Sequence, residues 1–354
     1  MINREIIRIK IVQLTYAYYQ NGNKNIDSAE KELFFSLSKA YDLYNYLLAL
    51  IVAVTKEANR RNEVLQARAQ REGLPMPPQK FVLNRFALQL SENKALLEFL
   101  ETQKFAWADH DAFLGQLLEH IEASAIYQEY MESDEDNYEA DRELWRKLYK
   151  TFIVENQDLD AILEEASLYW NDDKEIVDTF VLKTIKRFNE QEGTKQELLP
   201  EWDSEDEKDF ARKLFRAAIL NADQYQHAMS DTSRNWDFSR LAYMDIILMQ
   251  IAIAEMMTFP NIPISVTINE YVDLAKLYST RKSSGYINGM LDGIARNLIK
   301  TGRLMKHMDP KPGKENGAPA PEDKEAQAQQ ERPVKMRHRI KRPSTGPNPK
   351  KKED

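Results

Sequence analysis

No cysteine occurs among the 354 residues, which removes disulfides, thiolate nucleophiles and cysteine-based zinc sites and suits a reducing compartment. Glycine is scarce, eleven in all, and the motifs that depend on it are missing. There is no G-x-x-x-x-G-K-[ST] phosphate loop, no G-x-G-x-x-G turn and no G-x-S-x-G nucleophile elbow. None of the five histidines (His110, His120, His227, His307, His338) has Glu three residues before it, so the Glu-x-x-His pairs of a di-metal helical bundle are missing as well. Long apolar runs are also lacking. Near the N-terminus the apolar residues are interleaved with Arg4, Arg8 and Lys10, which leaves no secretory h-region. The longest apolar stretch, 241–259, is broken by Asp245, Gln250 and Glu255 and falls short of the roughly 20 residues of a membrane span. The expectation is a soluble, cytoplasmic, non-enzymatic protein with no catalytic residues, metal, cofactor or membrane association.

What is present is helix-forming material. The polar residues are dominated by Glu, Lys, Gln and Arg, which lose little rotamer freedom in a helix. At 42% hydrophobic, the chain is long enough for two compact helical units. The net charge of −8 argues against a surface that binds any polyanion, but the charge is unevenly placed. Residues 332–352 hold nine Lys or Arg and no acid. From 309 onward lie eight of the fourteen prolines, with almost no large apolar residues. Such a segment cannot offset its ordering entropy by burial, so residues 309–354 are expected to form a disordered, basic, proline-rich tail. This tail is either a nonspecific phosphate grip or a solvated extension.

Helical periodicity predicts a first helix over 3–20, ended by Asn21-Gly22, largely buried except on the face of Arg4, Arg8, Ile11 and Thr15. Further helical segments follow near 27–71, 81–103, 107–132, 138–156, 158–169 and 172–192. They are punctuated by the Gly73-Leu74-Pro75-Met76-Pro77-Pro78 turn and the acidic loop 133–137. That loop lacks the ligand spacing and central glycine of a calcium site. A weak repeat at an offset of 66 residues aligns Arg146-Lys147-Leu148-Tyr149 with Arg212-Lys213-Leu214-Phe215, and Trp170 with Trp236. It reads either as two similarly packed helix pairs or as coincidence. Beyond 200, one helix is expected over 205–230, an apolar one over 239–258, stopped by Pro260 and Pro263, and another over 267–278. Thr267-x-x-Glu270 fits a capping box for that third helix. In the last helix Gly289 and Gly293 stand one turn apart, which suggests close approach by another backbone.

Several of these residues resemble the NusB family. Trp236-Asp237-Phe238-Ser239-Arg240-Leu241, then Ile253-Ala254-Glu255-Met256, then Ile262-Pro263-Ile264-Ser265-Val266-Thr267-Ile268-Asn269-Glu270-Tyr271-Val272-Asp273-Leu274-Ala275-Lys276, and finally Gly285-Tyr286-Ile287-Asn288-Gly289-Met290-Leu291-Asp292 follow its motifs in order and spacing. Arg4, Arg8, Gln13 and Tyr16 are similar to its opening arginine-rich helix. The resemblance covers about 3–20 and 205–300. It implies an all-α, NusB-like helical bundle in which residues 1–22 supply the first helix, 201–308 the C-terminal helical domain, and 23–200 an additional inserted helical domain.

The resemblance further implies a transcription antitermination factor that binds boxA-type single-stranded RNA together with a NusE-like small ribosomal protein, acts on the transcription elongation complex and supports ribosomal RNA synthesis. Carried over residue by residue, Arg4 and Arg8 would touch phosphates. Tyr16 and Tyr286 would meet bases, and Lys282 and Ser283 would lie beside them. Asn269, Glu270, Asn288, Gly289 and Asp292 would cap helices and tie them together. Glu5 and Ile6 stand where the family has further basic residues, so the cationic cluster is thinner here. NusB-like domains fused to RNA methyltransferases would need a glycine-rich α/β domain, for which the helical remainder leaves no room. The alternative to an RNA-binding factor is a helical interaction scaffold whose working surface is the insert 23–200.

Overall fold

The computed structural model describes residues 1–22, 25–170, 172–232, 241–280 and 282–307. Trp236, Ser239, Arg240, Arg281 and the whole tail from 308 lie outside the described residues. With them fall the expected lead-in to the apolar helix and the expected disordered tail. Among the described residues all regular structure is helical, and the one bridge between extended segments pairs Ile2 with Trp202.

Helix α1 spans Arg4–Gln20; the Asn3 side chain accepts from the Ile6 amide at its start, and Asn21 and Gly22 (φ 64°) end it. Asparagine opens five of the helices that follow. Asn25, Asn84, Asn93, Asn137 and Asn156 each cap one by accepting a backbone N–H: α2 (Ile26–Glu72), α3 (Arg85–Ser91), α4 (Lys94–Glu101), α7 (Tyr138–Leu148) and α8 (Gln157–Ala166). Between α4 and α7 lie α5 (Asp111–Glu122) and α6 (Ala125–Glu132), and α7 runs into a π-helical turn at Tyr149–Ile153. Helix α9 (Lys174–Arg187) returns to the bundle formed by α10 (Glu205–Leu220), α11 (Ala222–Thr232), α12 (Tyr243–Thr258), α13 (Ile264–Tyr278) and α14 (Ser283–Lys300).

Helix α12 is the axis of that bundle, with α1, α10, α11, α13 and α14 packed around it. Its apolar residues point in nearly every direction because it is enclosed, as expected for a helix hydrophobic all round. Helix α2, 47 residues long, joins the bundle to the helices α3–α9. Its first half packs against α1, α9 and α10, and its most apolar window is 72% buried in the fold, which makes it a core helix. A buried ion pair fastens the same junction: Lys10 Nζ lies 2.7 Å from an Asp173 carboxylate oxygen and donates to the Tyr169 carbonyl at 2.8 Å.

Four local expectations are corrected. The single helix over 205–230 is two, broken at Asn221, whose backbone and side-chain N–H groups both return to the Ala217 carbonyl. Thr267 does not cap α13. That helix starts a turn earlier, after Pro263, and the Thr267 hydroxyl is buried and donates to Glu255. The two glycines of α14 behave differently. A Cβ at Gly293 would meet the Thr232 side chain of α11 at 3.1 Å, whereas the space beside Gly289 is open. Finally, Arg8, Ile11 and Thr15, expected on the open face of α1, are buried because α1 is covered there by its neighbours.

Candidate nucleic-acid interface

Helix α1 distributes the expected contact residues between the two ends of the bundle. Arg4 and Arg8 lie at its start. Arg8 is only 4% exposed. Its Nε and Nη2 donate to the two Glu255 oxygens at 2.8 and 3.0 Å, and Nη1 donates to Glu270 at 3.0 Å. Burial opposes the guanidinium charge, but the hydrogen bonds and charge of Glu255 outweigh it and hold the group above its ordinary range. The expected phosphate contact by Arg8 thus meets a buried side chain whose guanidinium already serves two carboxylates. Arg4 remains exposed, 3.4 Å from Glu207 and over the Phe210 ring. The adjoining groove is lined by Glu5, Arg8, Glu270 and Asp273 together with Leu274 and Leu277. Burial, followed by the charge of Glu270, pushes the Glu5 carboxyl up. This end of the bundle is acid-lined and unsuited to phosphate.

The other end is built where α1 finishes, α12 and α14 begin and α13 stops. The half-buried Tyr16 ring meets the Tyr243 ring edge-on at 5.9 Å. Tyr18 and Tyr19 pair beside them, and the Tyr19 hydroxyl accepts from Gln250 at 2.8 Å. Asp245 anchors the α13–α14 junction: Ser279 donates to one of its oxygens and Ser283 to the other, the latter at 2.9 Å. The hydroxyl of Ser283, an expected RNA contact, thus faces inward and anchors the start of α14. Lys282, next to it, is exposed. Tyr286 is half-buried, and burial followed by the nearby Asp245 charge pushes its phenol up. Tyr16, Tyr243, Lys282 and Tyr286 thus gather at one end, an aromatic surface with a cation at its edge.

The motif residues expected to tie helices together divide likewise. Glu270 binds Arg8 and so links α13 to α1. Asp292 pairs with Arg296 within its own helix, and Asn269, Asn288 and Gly289 stand exposed on α13 and α14.

The residues that sequence reasoning missed had a visible signal. Asp245, Gln250 and Glu255, the three polar interruptions of the apolar run, are the buried anchors of α12. Asp245 holds the α13–α14 junction, Gln250 reaches Tyr19 and the Ala218 carbonyl, and Glu255 gathers Arg8, Thr267 and Tyr271. A polar group inside an enclosed helix persists only with partners. These three could have been read as docking points for α1, α10, α13 and α14.

The family model of the NusB family matches residues 176–296, from within α9 to near the end of α14. Over 132 residues the chain is 33% identical to the Transcription antitermination protein NusB of Geotalea daltonii, covering 37% of this chain and 88% of that protein. The chain belongs to the NusB family. A second NusB, from Salinibacter ruber, is 30% identical over 132 residues, covering 36% of this chain and 82% of the relative. The NusB of Chloroherpeton thalassium is 39% identical over 99 residues, 28% of this chain and 47% of the relative. No solved structure matches. The family match contains the polar anchors of α12, the two glutamates that hold Arg8 and the Lys282–Tyr286 start of α14.

Proposed function

We propose that the chain is a non-catalytic, cytoplasmic antitermination factor of the transcription elongation complex. In this reading it binds boxA-type single-stranded RNA with a NusE-like small ribosomal protein and supports ribosomal RNA transcription. The observation that carries the proposal is the gathering of Tyr16 with Tyr243, Lys282 and Tyr286 at one end of a NusB-family bundle. Aromatic faces hold unstacked bases while a neighbouring cation holds the backbone, which is the chemistry of single-strand binding. In this reading Arg8 supports the fold and Arg4 lies outside the site. The relatives named above are antitermination proteins, which supports the same assignment.

The test is a binding titration of short boxA-like RNA by fluorescence anisotropy, with and without the NusE-like protein. Salt-sensitive binding strengthened by the partner is expected. A folded protein that binds no such RNA in either condition overturns the proposal.

A further inference from the structure

The last third of α2, beyond Ala58, stands largely clear of the rest of the fold, with Arg61 still reaching the Gly115 carbonyl and Glu119 of α5. Beyond Ala58 only Asn62 and Ala69 are buried, and the chain returns along the helix through residues 73–79, where Asn62 donates to the Pro78 carbonyl at 3.0 Å and accepts from Gln79 at 2.8 Å. This arm reverses the sign of the protein. Residues 56–80 carry six Lys or Arg against three Glu, in a chain of net charge −8. The exposed cations are ordered. Lys56, Arg60 and Arg71 fall at i, i+4 and i+15, within one narrow stripe of the helix that runs for about 22 Å, and Arg68 stands beside it.

The nearby carboxylates, Glu57, Glu63 and Glu72 on the arm and Glu119 of α5 beside Arg61, offset part of this charge and leave it positive. Glu57 serves both Arg60 and Arg61, and Glu72 serves both Arg68 and Arg71, so each acid is shared by two guanidiniums. The side chains of Arg60, Arg68 and Arg71 are 68%, 61% and 76% exposed. Their pairs are intrahelical and screened by water, and a phosphate can displace them. No Phe, Tyr or Trp occurs between Tyr46 and Phe81, so the arm offers nothing for a base to stack on. A cationic stripe without aromatics grips a backbone and does not read bases.

We propose that the last third of α2 is a second, sequence-independent RNA contact, which holds the phosphate backbone of transcript flanking the segment bound at the bundle. It rests on the RNA-binding reading given above and adds a site to it. Charge decides between this occupant and a protein: the exposed apolar residues Val64 and Leu65 are flanked by guanidiniums that a polyanion neutralises and an ordinary protein surface does not.

The experiment compares a short boxA-like RNA with a longer transcript carrying the same element plus flanking sequence. Both are titrated against the full chain and against the triple variants Arg60→Gln/Arg68→Gln/Arg71→Gln and Arg60→Lys/Arg68→Lys/Arg71→Lys. The longer RNA is expected to bind tighter to the wild type. The glutamine variant is expected to lose about tenfold on the longer RNA, with its salt slope reduced by about two, and nothing on the short one. The lysine variant is expected to keep most of the affinity. Equal binding of the longer RNA by wild type and glutamine variant overturns the proposal, as does a glutamine variant whose oligomeric state changes while its RNA binding does not. If the short RNA binds and the longer one gains nothing, the arm falls alone. If neither binds the wild type, both readings fall.

Discussion

The two ends of α1 carry residues of the same family motif and put them to opposite uses. At the first end, Arg8 lies under two glutamates, with Glu5 and Asp273 beside it. At the second, Tyr16, Tyr243, Lys282 and Tyr286 reach a partly open surface. An arginine and an aromatic at helical spacing can both be interface residues or both be core residues. The deciding factor is what the other helices bring: α12 and α13 supply Glu255 and Glu270 to the first end and a tyrosine to the second.

The largest effect should come from the first end. Arg8→Ala leaves Glu255 buried without its cation, a loss of about 3–5 kcal/mol. Urea denaturation should show this directly, and any loss of RNA binding should follow the unfolded fraction. The contrast between the ends breaks if the variant keeps its stability and loses RNA affinity.

The junction between α1 and α9 sharpens the contrast further. Lys10→Met should destabilise by about 3 kcal/mol because Asp173 is then buried alone, whereas Lys10→Met/Asp173→Leu should recover most of that stability. A double-mutant cycle in urea checks the coupling. An additive cycle would mean that the pair does not couple α1 to α9.

Acidity acts at the start of α9. Burial pushes the Asp173 carboxyl up to about 6, despite Lys10, and likewise pushes Asp178 up to about 6, despite Lys174. In the unfolded chain both return to the ordinary aspartate range near 4. Between those values the folded state binds more protons, so this contribution to stability is present below about pH 4 and is lost as pH rises through about 6. The urea midpoint should therefore fall from pH 5 to pH 7 by an amount worth about 1–3 kcal/mol. Asp178→Asn should flatten that slope, and an unchanged slope would remove Asp178 as its source.

How much of this was legible in the sequence follows from which residues depend on distant partners. The all-α class, α1, α2 and the family motifs followed from local signals: helical periodicity, the Asn21-Gly22 stop and the turn that opens at Gly73. The role of Arg8 was not legible, because its partners lie 247 and 262 residues away. The role of Ser283 depended likewise on Asp245 across the bundle. The break at Asn221 was local but weak, since asparagine is tolerated inside helices.

The smallest effects belong to the second end, and they decide what it does. Tyr16→Ala removes one base-stacking face, a loss of about 1–3 kcal/mol in RNA binding. Tyr16 is half-buried against Tyr243, so part of any change reflects packing. Lys282→Gln separates the two causes. This exposed side chain has little packing to lose, and if it meets a phosphate its removal should lower the salt slope of boxA-like RNA binding by about 0.7 and leave the urea midpoint in place. Should the slope stay unchanged while Tyr16→Ala still weakens binding, the aromatic surface would be acting without its cation. The positive charge that RNA requires would then have to come from elsewhere on the chain, and the basic last third of α2 is the first place to look.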